Sequence, residues 1–196
     1  MYGTSGKAYL DRAKARLAEQ TQEGLFYAAL ELRSGIESRI HEYLDAREDI
    51  AKRKKHGYQI AKLARGLEAV FAAGEKVVEI RAVNDGGKTL WVLHFTPVRR
   101  SLRNHAERLG DLLHHQPYRE DDDVWWSTRR PFLEQVANEL EFATTGSLMG
   151  PPLLEKGTKN MSFAVVADPE DEIGVHLTQI GGRATLKVAY RDDLPV

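Results

Sequence analysis

The chain of 196 residues contains no cysteine. Without thiols it has no disulfide, no thiolate nucleophile and no cysteine-ligated metal site. The chain also lacks an excess of one charge, because it has 28 Lys and Arg residues and 29 Asp and Glu residues, which gives a formal net charge of -1. This balance argues against a surface coated in positive charge for nucleic acid, and it leaves room only for local basic clusters.

Long apolar runs are missing as well. No stretch is apolar enough to span a bilayer, and residues 1–14 lack the apolar segment of a secretory signal. We therefore expect a soluble, cytoplasmic protein that has no membrane partner. The hydrophobic share of 42% and the charged share of 29% are ordinary for a folded domain. A chain of this length can bury the core of a single domain, 1–196.

The strongest pattern present is helical. Lys7–Gln20 is rich in helix formers, and a longer helix is predicted from Gln22 to about Lys55. Lys52 to Lys55 and then Gly57 suit its C-terminus. A third helix is predicted from Tyr58 to Ala73. The long helix has apolar residues three or four positions apart along one face, namely Leu25, Ala28, Leu32, Ile36, Ile40 and Tyr43.

After these helices the apolar period changes to two. Alternation around Val78–Val83 and Trp91–Thr96, joined by Asn84-Asp85-Gly86-Gly87, predicts a β-hairpin over 77–96. Helices are predicted over Leu102–His115, capped by Ser101, and around Phe132–Leu140, with Pro131 in the first turn. After a loop, Thr144–Lys159, three strands are predicted at Met161–Ala167, Ile173–Ile180 and Arg183–Tyr190. The predicted fold class is α+β: a helical bundle with an inserted β-hairpin and a C-terminal three-stranded antiparallel meander (160–191), residues 1–6 being disordered.

The helix Leu102–His115 carries the candidate catalytic residues. At 100° per residue, Arg108 and His115 lie nearly in line, with Asp111 between them and His114 beside them. An arginine near a histidine can bind a phosphate and position a proton donor for RNA cleavage. The competing interpretation, which we favour, is a solvated face on which Asp111 pairs with His115.

The helical part resembles the HEPN superfamily of nucleotide-binding proteins. The similar segments are 25–44 and 56–63, together with Arg108 and the histidines that follow it. Members of this superfamily have an arginine followed four to six residues later by a histidine on a late helix, usually with a polar residue directly after the arginine. Many are ribonucleases that act as dimers. The resemblance implies a dimer that is either an inactive scaffold or a metal-independent nuclease using Arg108 and His114 or His115.

Weaker patterns admit other chemistry. Arg99, Arg100 and Arg103 form one basic cluster, and Arg129 and Arg130 beside two tryptophans form another, which is an arrangement that can bind nucleic acid. Ordinary solubilising or packing roles compete with this interpretation. Glu107, Asp111, His115 and the aspartates at 121–123 match no metal motif, so we predict neither a metal nor a cofactor. The loop 144–152 could bind an anion but is more typical of a connector, and the strand histidines His94 and His176 are more typical of structural residues.

Taken together, these patterns predict a non-catalytic, self-associating interaction or regulatory module with a HEPN-like helical part. We expect a homo-oligomer, with a dimer favoured because helical stripes and outer strands both need covering, and a further protein partner is compatible with it. Two alternatives stay open: a HEPN-type ribonuclease acting on RNA as a dimer, and a small-ligand or nucleotide sensor whose pocket the hairpin and the meander form.

Overall fold

The computed structural model describes residues 2–47, 71, 73–114, 127–154, 161–165 and 184–195. Its helices are α1 (Gly6–Ala18), α2 (Gln22–Asp45), α3 (Arg100–Leu113) and α4 (Arg130–Thr145). Its strands are β1 (Val77–Asn84), β2 (Thr89–Phe95), β3 (Leu153–Leu154), β4 (Met161–Ser162) and β5 (Ala184–Arg191). The predicted α+β fold class is therefore confirmed.

The chain divides into two compact units, which we call the helical unit and the sheet unit. The helical unit comprises Met1–Val70 and Val98–Thr144, and the sheet unit comprises Phe71–Pro97 and Thr145–Val196. Each has its own buried apolar side chains. That both belong to one domain stays a prediction from the sequence. Among the described residues, no helix combines the length and the apolar character that crossing a membrane requires.

Short polar side chains set where the first two helices begin. The Ser5 hydroxyl accepts a hydrogen bond from the Ala8 backbone N–H (3.1 Å), and the Thr21 hydroxyl accepts one from Gly24 (3.0 Å). Both satisfy N–H groups that the first helical turn leaves without a partner. Between the helices Gln20 has a left-handed backbone, φ 57°, so α1 ends at Ala18 before the predicted Gln20.

The residues before α1, predicted to be disordered, pack onto the helices. The Arg12 guanidinium lies 4.0 Å from the ring centroid of Tyr2 and 4.5 Å from that of Tyr9. Its Nη1 donates to the Gly3 carbonyl (2.7 Å), and its Nε donates to Glu31 on α2 (2.9 Å). The prediction of disorder is wrong for residues 2–5 because one arginine ties them to α1 and α2.

Helix α2 carries the predicted apolar stripe, and every member of that stripe is buried. It ends at Asp45 and not near Lys55, so its predicted C-terminus is wrong. The Ala46 N–H still donates to the Glu42 carbonyl (3.1 Å), whereas the Arg47 N–H donates to the Leu44 carbonyl (3.2 Å), which is the tighter pattern typical of a final helical turn. Lys52 to Lys55, Gly57 and most of the helix predicted over 58–73 lie outside the described residues.

Two glycines and a buried arginine bring α1, α2 and α4 together. A Cβ at Gly35 of α2 would lie 2.8 Å from Leu140 Cδ2 of α4 and 3.0 Å from Tyr9 Cβ of α1. A Cβ at Gly6 of α1 would lie 3.1 Å from Arg39 Cβ of α2. The Arg39 Nε donates to the carbonyl of Ala143 near the end of α4 (2.8 Å). This bond satisfies a carbonyl that the helix itself leaves open.

The sheet unit is built on β1, the central strand of an antiparallel sheet of order β2-β1-β5. The predicted hairpin is confirmed: Ile80 pairs with Leu93, and Gly87 adopts φ 79° in the turn. Strand β5 pairs with the other side of β1, placing Val188 opposite Ile80. The hairpin and the last predicted strand therefore share one sheet. The predicted middle strand, Ile173–Ile180, lies outside the described residues.

The segment predicted as a loop over 144–159 contains a short strand. Leu153–Leu154 (β3) pairs with Met161–Ser162 (β4), so the first predicted meander strand pairs here with β3. Before it, the Leu148 N–H donates to the His94 carbonyl (3.0 Å) and the Met149 N–H donates to Ala164 (2.9 Å). The segment is attached to β2 because the Leu148 N–H pairs with the carbonyl of His94 on that strand.

Candidate functional site

Helix α3 ends just before His114, the first of the two candidate catalytic histidines. The helix ends at Leu113, and His114 has an extended backbone (φ -79°, ψ 146°). Angular spacing along a helix no longer applies at His114, and the alignment of Arg108 with His115 stays a prediction. Asp111 and His114 are exposed, and His115 lies outside the described residues. The predicted cap is also wrong, because Arg99 occupies that position and Ser101 lies inside the helix.

Two arginines, Arg108 of α3 and Arg99 just before it, stack on aromatic rings of α4. The Arg108 guanidinium lies 4.2 Å from the ring centroid of Phe132, and that of Arg99 lies 4.2 Å from the ring centroid of Phe142. A guanidinium over an aromatic face is attracted by the ring quadrupole and covers apolar surface. These two candidate phosphate ligands therefore hold α3 against α4.

The two basic clusters predicted to bind nucleic acid lie near opposite ends of α4. Arg99 contacts Phe142 near its C-terminus, whereas Arg129 and Arg130 lie at its N-terminus, a separation of about 18 Å along the axis at 1.5 Å per residue. Arg130 donates to the Leu17 carbonyl (2.8 Å). Arg100 and Arg129 are exposed and Arg103 is half-buried. The predicted residues therefore do not form one continuous basic surface.

His105 of α3 is a buried histidine that the sequence interpretation missed. Its ring meets Phe132 edge-on, with centroids 5.3 Å apart, and its Nδ1 lies 3.4 Å from Oε2 of Glu139 on α4. Neither of these two atoms has a hydrogen bond among the described residues. A signal was present, since Arg100 precedes His105 by five residues and is followed directly by the polar Ser101. Because His105 is enclosed between two helices, its contacts are those of a packing residue.

A second group of charged side chains meets on one face of the sheet unit. Glu79, on the central strand β1, is only 3% exposed. Arg81 Nη2 donates to its Oε1 (3.1 Å), Arg191 Nη2 donates to the same atom (3.5 Å), and His94 Nε2 lies 3.4 Å from Oε2. We call these four residues the Glu79 cluster. Three strands each contribute to it, because Glu79 pairs directly with His94 and lies diagonally across from Arg191.

The Glu79 carboxylate is held in its charged form. Burial alone would raise the pKa of Glu79, but the contacts with His94, Arg81 and Arg191 outweigh burial, and the pKa is lowered from its ordinary value of 4.5. The isolated alternation of β1 gave no hint of this arrangement, because it depends on which residues of β2 and β5 stand beside Glu79. His94, which the sequence left without a role, belongs to the site, whereas His176 lies outside the described residues.

The opposite face of the same sheet carries an exposed apolar row. Leu186 and Val188 of β5 are 38% exposed and Tyr190 is 58% exposed. They stand opposite Ala82, Ile80 and Val78 of β1, all fully buried. The apolar face of the sheet is thus covered at β1 and open at β5. We call these three residues the β5 row.

Two further predictions concern bound ions. Among the described residues no group of three His, Asp or Glu side chains is placed to hold a metal ion, and the aspartates at 121–123 lie outside them. Three backbone donors of the loop considered as an anion site bond to neighbouring segments, because the Gly146 N–H donates to the Thr96 hydroxyl (3.0 Å) and the Leu148 and Met149 N–H groups donate to carbonyls. Its geometry is that of a connector.

Comparisons of the chain with family models, with curated proteins and with solved structures find no match. The resemblance to the HEPN superfamily therefore stays a prediction from the sequence.

Proposed function

We propose that the protein is a non-catalytic interaction module that self-associates through the β5 row. The observation that supports this function is the open continuation of a buried apolar face. Val188 is paired with the fully buried Ile80 yet is itself 38% exposed. Burying apolar surface is favourable by roughly 25 cal/mol per Å², so a second apolar surface laid on this row would stabilise both.

A second copy of the chain is the occupant that fits best. The row is centred on Val188, with Leu186 and Tyr190 two residues away on either side. A two-fold axis through Val188 would place Leu186 of each copy against Tyr190 of the other, which is a self-complementary contact. A formal net charge of -1 adds little repulsion between copies.

The nuclease alternative has less support from the described geometry. Arg108 and Arg99 contact aromatic rings, His105 is enclosed, and His114 lies beyond the end of α3. A general acid must come within hydrogen-bonding reach of the atom that it protonates. These contacts are those of packing residues, which supports an inactive scaffold over an enzyme.

Replacing the central residue of the row tests the proposal. In Val188→Asp the carboxylate of one copy would face the same carboxylate of the second copy across the two-fold axis. Association would bury both charges among apolar side chains. We expect the wild type to form dimers of its 22.1 kDa chain in sedimentation equilibrium, and the variant to dissociate with a Kd raised roughly tenfold or more.

Leu90→Asp is the matched control. Leu90 lies on β2 of the same sheet and is exposed to nearly the same extent, 37%, but it is not part of the β5 row. It should leave the Kd unchanged, and circular dichroism should confirm that both variants fold. A wild type that stays monomeric up to millimolar concentration, or an equal loss in both variants, would contradict self-association through β5.

A further inference from the structure

We propose that the Glu79 cluster forms a binding site for a phosphate group, held between the guanidinium groups of Arg81 and Arg191. The site lies on the face of the sheet opposite the β5 row, and it does not depend on self-association. Arg81 and Arg191 come from neighbouring strands, and their Nη2 atoms converge on the single oxygen Oε1 of Glu79. Both side chains are accessible, at 40% and 44% exposure.

The charges of the cluster do not cancel. Within the part of the chain that the structure describes, Glu79 is the only acidic side chain that pairs with either Arg81 or Arg191. One carboxylate therefore serves two permanent cations and a histidine. Lys187 of β5 stands directly opposite Arg81, and like charges in that position destabilise a sheet. An added anion would relieve this excess of positive charge.

The geometry favours a phosphate over an unspecific anion. Each guanidinium is a planar fork of donors that matches the oxygens of a phosphate group, and neither is fully used by Glu79. At neutral pH a phosphate group carries roughly 1.5 to 2 negative charges. Arg81, Arg191 and Lys187 together exceed the single negative charge of Glu79 by about that amount. Glu79, buried and charged beneath them, orients both forks at the cost of repelling the ligand. It is a positioning residue and not a ligand-binding one.

The test measures stabilisation by phosphate at constant ionic strength. The full chain is melted in increasing inorganic phosphate, with sodium chloride adjusted to keep ionic strength fixed. A ligand that binds only the folded state raises the melting temperature as its concentration passes Kd. Glycerol 3-phosphate forms a second arm, which separates free phosphate from a phosphate ester as the preferred source. An equal rise with chloride alone would overturn the proposal.

Charge variants assign the effect to the cluster. Arg81→Gln and Arg191→Gln, at half-exposed positions, should each weaken phosphate binding by roughly tenfold or more, because a charge-assisted hydrogen bond is lost. Lys88→Gln removes the same charge from the hairpin turn of this sheet and should leave Kd unchanged. If Lys88→Gln weakens binding as much as the two arginine variants do, the effect is a general one and the site is wrong.

The carboxylate variant changes affinity in the opposite direction. Glu79→Gln keeps an oxygen that can accept from the arginines while removing the charge that repels a phosphate. We expect binding several-fold tighter than in the wild type, provided that circular dichroism confirms a folded variant. If Glu79→Gln folds and binds more weakly, the arginines do not act as the anion ligands, and the proposal fails.

Discussion

Glu79 stands on a face of the central strand that also carries the buried apolar residues Val77 and Val83. A buried carboxylate without partners would be costly, and here two arginines and a histidine, contributed by three strands, compensate for its burial. Arg81 and Arg191 also keep part of their side-chain surface in contact with water. The residue is therefore both a structural element of the sheet and a source of pH dependence.

We predict that the Glu79 contribution to stability is lost in acid. Because the folded-state pKa lies below the ordinary value of 4.5, the stabilisation is complete above that value and disappears as the pH falls through the folded-state pKa. Glu79→Gln should lower the free energy of unfolding at pH 7 by about 1–3 kcal/mol. The difference from the wild type should shrink as the pH falls below 4.5 and through the lowered folded-state pKa, as measured by urea unfolding.

Asp85→Asn provides the control for this comparison, because Asp85 is an exposed carboxylate in the hairpin turn. Its difference from the wild type should stay small at every pH. A Glu79→Gln difference that is constant from neutral to acid pH would show that the carboxylate is not held charged by its neighbours.

At the scale of the elements, the close approach of helices determines what a glycine does. Helix propensity describes Gly35 as a weak point in α2, since alanine is favoured by roughly 0.8–1.0 kcal/mol inside a helix. In the structure the same glycine lets α1 and α4 approach α2, with Leu140 and Tyr9 in the space that a Cβ would take. Gly35 therefore contributes to stability through the packing between helices, which the propensity of a single helix does not describe.

We predict that Gly35→Ala is destabilising and that Gly110→Ala is not. At Gly35 the added Cβ meets the buried Leu140 and the Cβ of Tyr9, neither of which can move freely, and overpacking costs about 1–3 kcal/mol. At Gly110 of α3 the nearest atom, at 3.2 Å, is the end of the flexible Arg33 side chain. There the gain in helix propensity should leave stability unchanged or up to about 1 kcal/mol higher.

Thermal unfolding of both variants checks this pair. A Gly35→Ala protein that melts at or above the wild-type temperature would mean that the helical unit tolerates a wider separation of its helices. Gly110→Ala losing as much as Gly35→Ala would mean that Arg33 is fixed in place.

At the scale of the whole molecule, the two faces of one sheet carry the two proposed activities. The Glu79 cluster lies on one face and the β5 row on the other, because successive residues of a strand point to opposite sides. Residues 186 and 188 therefore belong to the apolar face, while Lys187 belongs to the charged one. This alternation lets a single strand contribute to self-association and to anion binding without mixing their chemistry.

We predict that the purified protein leaves total RNA intact in the presence of EDTA. Arg108 and Arg99 contact aromatic rings of α4, His105 is enclosed between two helices, and His114 lies beyond the end of α3, so these residues have the contacts of packing residues. Gel analysis beside a folded variant with His114→Ala and His115→Ala checks this. Cleavage by the wild type that the double variant loses would reinstate the nuclease hypothesis.

The sequence by itself determined the elements whose signals are local. The stripe of α2 is fixed by the helical period, and the hairpin by Asn84 to Gly87 between two alternating runs. Boundaries were less well predicted: α2 ends at Asp45 and α3 at Leu113, since several residues can close a final turn about equally well.

Only the tertiary structure decided where the functional residues meet. Strand β5 pairs with β1, which lies more than a hundred residues earlier in the chain. That register brings Arg191 to Glu79 and leaves Val188 exposed beside Ile80. In the helical unit, the packing of α3 on α4 likewise brings His105 to within 3.4 Å of Glu139. Such contacts follow from the free energy of packing whole elements together, and a local pattern of residues carries no information about which distant strand or helix will stand beside it.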